Sequence, residues 1–241
     1  MDSFCQVFDE RLREIESYLE LLDGLEQQVQ QGIPRFGDNG GKITTEQQKI
    51  LYSSVYLQLY SLVEATITSC VNAFCQAITL KSSHPHELSI DVRREWVRFV
   101  ARTHTDLSYD NRLESTLNMC DMLLRPISIL KIDQGGGGNW DDEEIYKLIQ
   151  RLGLSIKITR QTQKDIKKPF KDDKGALALI KYFRNKLSHG NISFVECAED
   201  ITVGDLRDLT TRTSSYLREV VNGFQRSIDA YEFLDANKNT A

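Results

Sequence analysis

Proline is scarce, with only four in 241 residues. All-β folds need many turns, so this scarcity, together with long stretches free of glycine, favours helices. Long apolar runs are missing as well. The longest uncharged strips, Leu51–Val63 and Ala65–Leu80, are studded with Ser, Gln, Thr and Asn and parted by Glu64, so neither makes a good membrane span. Met1-Asp2-Ser3-Phe4-Cys5 opens no basic-then-apolar leader, and no export signal is expected. The five cysteines (Cys5, Cys70, Cys75, Cys120, Cys197) are odd in number and form no Cys-x-x-Cys pair. That usage suits small core-filling thiols in a reducing, cytoplasmic setting. No Gly-x-Ser-x-Gly elbow occurs, and Gly135–Gly138 is followed by no Gly-Lys-Ser/Thr. His84-Pro85-His86-Glu87 reads as an ordinary loop rather than a metal site, so neither metal nor cofactor is expected.

What is present fits a globular protein. Apolar residues make up 40% and charged residues 27%, which argues against disorder, and the chain is long enough to bury a core. Phe8, Leu12, Ile15, Leu19, Leu22, Leu25 and Val29 recur at steps of three and four and predict an amphipathic first helix with an acidic outer face. Thr45-x-x-Gln48 reads as the capping box of a second helix reaching about Leu80, apolar almost all round and therefore central. Shorter helices are expected over 91–102, 112–124, 141–152 and 173–189. Asn191–Ile201 should be extended or irregular, and Thr202 should cap a last long helix from about 203 to 234. Pro126 and Gly135–Gly138 mark an exposed loop around 133–140. Neither half has an obvious separate core, so the expectation is one all-α domain over 1–241 with a loose tail at 235–241.

Charge is uneven. The net charge is −5, yet residues 151–190 hold eleven Lys/Arg against three acids, a local +8. Such a segment can bind a polyanion or can be a solvated, lysine-rich surface. Residues 1–31 carry −6, which also leaves open a structural module docking through its acidic first helix.

One segment is chemically specific: Lys181-Tyr182-Phe183-Arg184-Asn185-Lys186-Leu187-Ser188-His189-Gly190. At 100° per residue, Ala176, Leu179, Ile180, Phe183 and Leu187 form an apolar stripe with Arg184 on its border. Asn185 and His189, four apart, share the outer face. An imidazole can take a 2′-hydroxyl proton or protonate a leaving 5′-oxygen, and a guanidinium can hold the phosphate between them. The spacing alone also admits a snorkelling arginine and a histidine favoured by the helix dipole. A similar pair, Arg98 and His104, occurs elsewhere in the chain.

The full string resembles the Arg-x(4–6)-His motif of the HEPN superfamily, specifically its MAE-type branch. The polar residue after the arginine and the helix-ending Gly190 match too, as do the charged first helix and the Leu59-Tyr60-Ser61-Leu62-Val63-Glu64 pattern on the second. The resemblance implies a bundle of four to five main helices plus short ones. It implies a metal-independent endoribonuclease whose site is shared across a homodimer, acting in toxin–antitoxin or antiviral defence. Arg184, His189 and Asn185 match the motif positions. Glu64, Lys186 and Ser188 are supporting candidates, and Lys164, Lys167, Lys168, Lys171 and Lys181 would guide RNA. An antitoxin or a second HEPN protein is the further partner it implies. In members silenced by AMP transfer a tyrosine lies two residues beyond the histidine. Here that residue is Asn191, so this form of control is not expected. The alternative within the family is a non-catalytic bundle binding RNA, a nucleotide or a protein.

Overall fold

A computed structural model describes residues 4–35, 37, 40–102, 105–134, 139–171 and 173–236. Gly135–Gly138, His104 and most of the expected tail lie outside these residues. The described residues form nine α-helices and no strand: α1 (Phe4–Gln31), α2 (Thr45–Leu80), α3 (Ile90–Ala101), α4 (Tyr109–Leu123), α5 (Asp142–Arg151), α6 (Arg160–Lys167), α7 (Ala176–Ser188), α8 (Phe194–Cys197) and α9 (Val203–Asp229). The all-α expectation holds. Contacts cluster into two compact units, one of residues 1–66, 139–142 and 158–218, the other of 67–138, 143–157 and 219–241.

In the first unit, α1 buries Phe8, Leu12, Ile15, Leu19, Leu22 and Leu25, the stripe that its periodicity predicts. Its acidic face is partly used within the fold. Asp9 pairs with Arg218 and Asp23 with Arg207, so α9 runs antiparallel to α1, and the Arg218 guanidinium lies over the Phe8 ring. Along α2, Val55, Tyr56, Leu59 and Leu62 are fully buried, and Tyr56 packs on Phe183 of α7 with ring centroids 4.7 Å apart. In the second unit, Phe74 of α2 meets Phe224 and Phe233 edge-on.

The helix ends show where local reading goes astray. The box at the start of α2 lies one residue earlier than expected. Thr44 Oγ1 accepts from the Gln47 N–H at 3.2 Å, while Gln47 Oε1 accepts from the Thr44 N–H at 2.8 Å. Thr44/Gln47 and Thr45/Gln48 have the same spacing, so only the chain path chooses between them. Residues 160–167 form a separate helix before α7, which starts at Ala176 rather than 173. The stretch after α7 is not wholly irregular: Ser193 and Glu196 build a reciprocal capping box on α8. Finally, α9 stops at Asp229, short of 234. The Phe233 carbonyl accepts from Ser89 and the Asp235 N–H donates to Glu87, which draws the chain out of the helix.

Candidate active site

Helix α7 presents the motif at its C-terminal end. Ala176, Leu179, Ile180, Phe183 and Leu187 are buried, which turns Arg184, Asn185 and Lys186 to the edge of the core, half-buried. The helix then closes in a Schellman motif. Asn191 N–H donates to the Lys186 carbonyl and Gly190 N–H to that of Leu187, with Gly190 at φ +68°. That termination leaves His189 exposed at the cap, its backbone N–H on the Asn185 carbonyl and its imidazole without a hydrogen-bond partner among the described residues.

Arg184 is held in place by neighbours. Its Nη1 donates to Asn185 Oδ1 at 2.8 Å, and its guanidinium carbon lies 4.5 Å from the centre of the Tyr60 ring. Asn185 in turn donates from Nδ2 to Asn139 Oδ1 at 2.9 Å. The carboxamide therefore orients the guanidinium rather than the imidazole. The other N–H groups of Arg184 make no hydrogen bond among the described residues. A planar cation clamped on one edge and stacked on a tyrosine face is suited to receive an anionic, forked acceptor.

Tyr60 is the hub of this corner. Its oxygen accepts from the Trp140 N–H at 3.3 Å. Burial holds its phenol above the ordinary range; the Trp140 N–H, Arg184 and Lys181 pull it back, and Glu64 adds to the rise. Glu64 thus acts on the same ring as Arg184, yet it forms no ion pair among the described residues. Ser188 donates from Oγ to the Asn185 carbonyl at 3.3 Å, a bond within its own helix. The Lys186 ammonium sits 4.8 Å from the Tyr182 ring centre.

The family model described as HEPN_MAE_28990-like HEPN matches residues 2–233. The chain belongs to this HEPN family. No curated protein and no solved structure matches it significantly. Membership points to a nuclease-like or RNA-related role, and HEPN domains often dimerise and bind RNA. Among the described residues, no helix is long and apolar enough to cross a membrane.

The basic segment of this HEPN chain is less uniform than its composition suggests. Lys181 is bound to Asp141, Lys167 lies 3.8 Å from Asp142, and Lys171 lies 3.8 Å from Asp200. The Lys164 and Lys168 ammonium groups have no partner among the described residues, and both residues are exposed. Three contributors escaped the sequence reading. Tyr60 stood inside a quoted pattern, but nothing in that pattern assigned it to the arginine. Asn139 and Asp141 follow a glycine run and carry no local signal, since what singles them out is contact with α7 forty or more residues on.

Proposed function

We propose that this HEPN protein is a metal-independent endoribonuclease that cleaves RNA by attack of its own 2′-hydroxyl, in the role of a toxin or defence nuclease. The observation that carries the reading is the Arg184 guanidinium, clamped by Asn185 and stacked on Tyr60, five residues before an exposed His189. In the reaction, one imidazole removes the 2′-hydroxyl proton and the 2′-oxygen attacks phosphorus. The 5′-oxygen departs with a proton from a second imidazole, leaving a 2′,3′-cyclic phosphate. Arg184 binds the non-bridging oxygens and stabilises the charge that gathers there. One chain has a single motif histidine, so a homodimer supplies the second. Lys164 and Lys168, with Lys167 and Lys171 more loosely tied, line up backbone phosphates, while Lys181 serves to hold the 139–142 segment.

The test is purified protein with labelled RNA in EDTA. Cleavage is expected, with cyclic phosphate ends. Arg184→Ala and His189→Ala should each lower it by about a hundredfold or more while RNA is still bound. Binding by wild type without any cutting would instead favour the non-catalytic reading. The observation on that side is that Arg184 already spends one N–H and one face on its own fold.

A further inference from the structure

The second unit holds a cleft of about 660 Å³, within the range of about 300–1,000 Å³ usual for small-molecule sites. Four cations converge on it from three separate stretches of chain: Arg98 and Arg102 from the end of α3, Lys131, and Arg151 at the end of α5. Left alone, such a group would repel itself. The floor supplies the compensation. Glu95 is only 3% exposed, and its Oε1 binds Arg98 Nη1 and faces Arg151 Nε at 3.4 Å. Arg151 also donates to the Asp133 carbonyl, and its own Nε is buried without a hydrogen bond. Two guanidinium groups are thus positioned in advance by a buried carboxylate.

The rim is different. Neither the Arg102 nor the Lys131 side chain has an ion pair or hydrogen bond among the described residues, and both residues are exposed. Arg102 is moreover held at φ +51°, ψ 40°, a left-handed conformation that residues with a β-carbon adopt at a cost. Four cations against the carboxylates of Glu95 and Asp133 leave a surplus of two positive charges. That surplus matches a phosphate monoester, which carries about −1.5 to −2 near neutral pH. The space far exceeds a bare phosphate, and Phe99 provides an aromatic wall.

We infer that this cleft is a binding site for a ribonucleoside 5′-monophosphate, its phosphate between Arg98, Arg102 and Lys131 and its base against Phe99. Guanidinium forks favour phosphate oxygens over a point contact, and an aromatic face favours a flat base. None of its residues belongs to α7 or to the first unit, which carries the proposed nuclease residues.

Titration calorimetry of the full chain with AMP, GMP, CMP and UMP tests it. At least one should bind with Kd in the range of about 1–100 μM, more weakly as salt rises. The double variant R102Q/K131Q should bind about tenfold more weakly or worse, with unchanged helical circular dichroism and melting temperature, because neither side chain has a partner among the described residues. Arg184→Ala/His189→Ala should bind as wild type does. Several results would overturn the inference: no heat with any of the four up to about 1 mM, full binding by R102Q/K131Q, or loss of binding in the Arg184/His189 variant. So would inorganic phosphate binding as tightly as the nucleotide, or a decamer of single-stranded RNA displacing the nucleotide at equal phosphate concentration. The last result would make the cleft part of an RNA track.

Discussion

Asn185 is the residue on which the candidate site turns. It receives Arg184 on its carbonyl oxygen and hands its amide to Asn139, so one carboxamide ties α7 to the 139–142 segment. Replacing it by aspartate would put a carboxylate against the guanidinium and neutralise the charge that a phosphate is meant to meet. Asn185→Asp is therefore expected to slow cleavage about tenfold while RNA is still bound and the melting temperature is nearly unchanged, read by labelled-RNA cleavage beside fluorescence anisotropy. Asn139→Ala acts one step further out. It should lower kcat by about tenfold and leave KM close to its starting value; a pure rise in KM would contradict a positioning role. The cysteines make a second prediction at this scale. Burial pushes the Cys75 thiol up to about 11 and that of Cys197 to about 12, whereas Cys120 is exposed. Alkylation of the native protein at pH 8 should label Cys120 first and spare Cys70, Cys75 and Cys197, checked by peptide mass mapping.

At the level of elements, the position of the motif depends on how α7 begins and ends. Gly190 sits at φ +68° with nothing within 4 Å of where a β-carbon would be, so Gly190→Ala isolates the conformational cost of the cap. A loss of about 1 kcal/mol is expected from chemical denaturation. Gly175, at the other end, is a matter of space. A β-carbon there would lie 2.5 Å from the Ile166 carbonyl oxygen and 3.1 Å from Lys167 Cα, both backbone. Gly175→Ala should accordingly destabilise more than Gly190→Ala, because α6 and α7 can no longer approach as they do. Equal losses would mean that the α6–α7 connection yields without strain. At the start of α2, Thr44→Ala should remove about 1 kcal/mol and Thr45→Ala much less, reversing the order that the Thr45 reading implies.

For the whole molecule, the groups displaced most by burial all favour their neutral forms. Tyr56 and Tyr216 are held well above the ordinary phenol range by burial, and the two thiols are raised as stated. Each binds its proton more tightly folded than unfolded. The stability they contribute is thus complete below about pH 9, where the unfolded thiol still keeps its proton, and is lost as pH climbs towards 11 and 12. Denaturant midpoints should hold steady between pH 7 and 8.5 as far as these groups are concerned and fall steeply above about pH 9. A midpoint that rises there would contradict the burial. The proposed shared site makes a prediction of its own. Excess His189→Ala chain mixed with wild type and allowed to exchange subunits should lower the cleavage of the wild-type chains, because a mixed dimer holds one imidazole where the reaction uses two. Cleavage per wild-type chain that stays unchanged despite exchange would place the chemistry within one chain.

Much of the fold was written locally. The α1 stripe, the all-round apolar α2, the Gly190 stop and the arginine–histidine pair on α7 can each be read from residues three to seven positions apart, because a helix makes near neighbours of them. The family followed from the same short string and its surroundings. Tertiary packing alone decided the rest. It set Tyr60 beneath Arg184, brought Asn139 to Asn185, and gave Asp141 to Lys181, taking one lysine away from the expected RNA surface. It also gathered Arg98, Arg102, Lys131 and Arg151 around Glu95, a grouping with no trace in the linear order. The physical reason is common to these cases: helical periodicity and capping are settled by bonds within a turn or two, whereas the partner of a side chain at the core's edge depends on which helix faces meet.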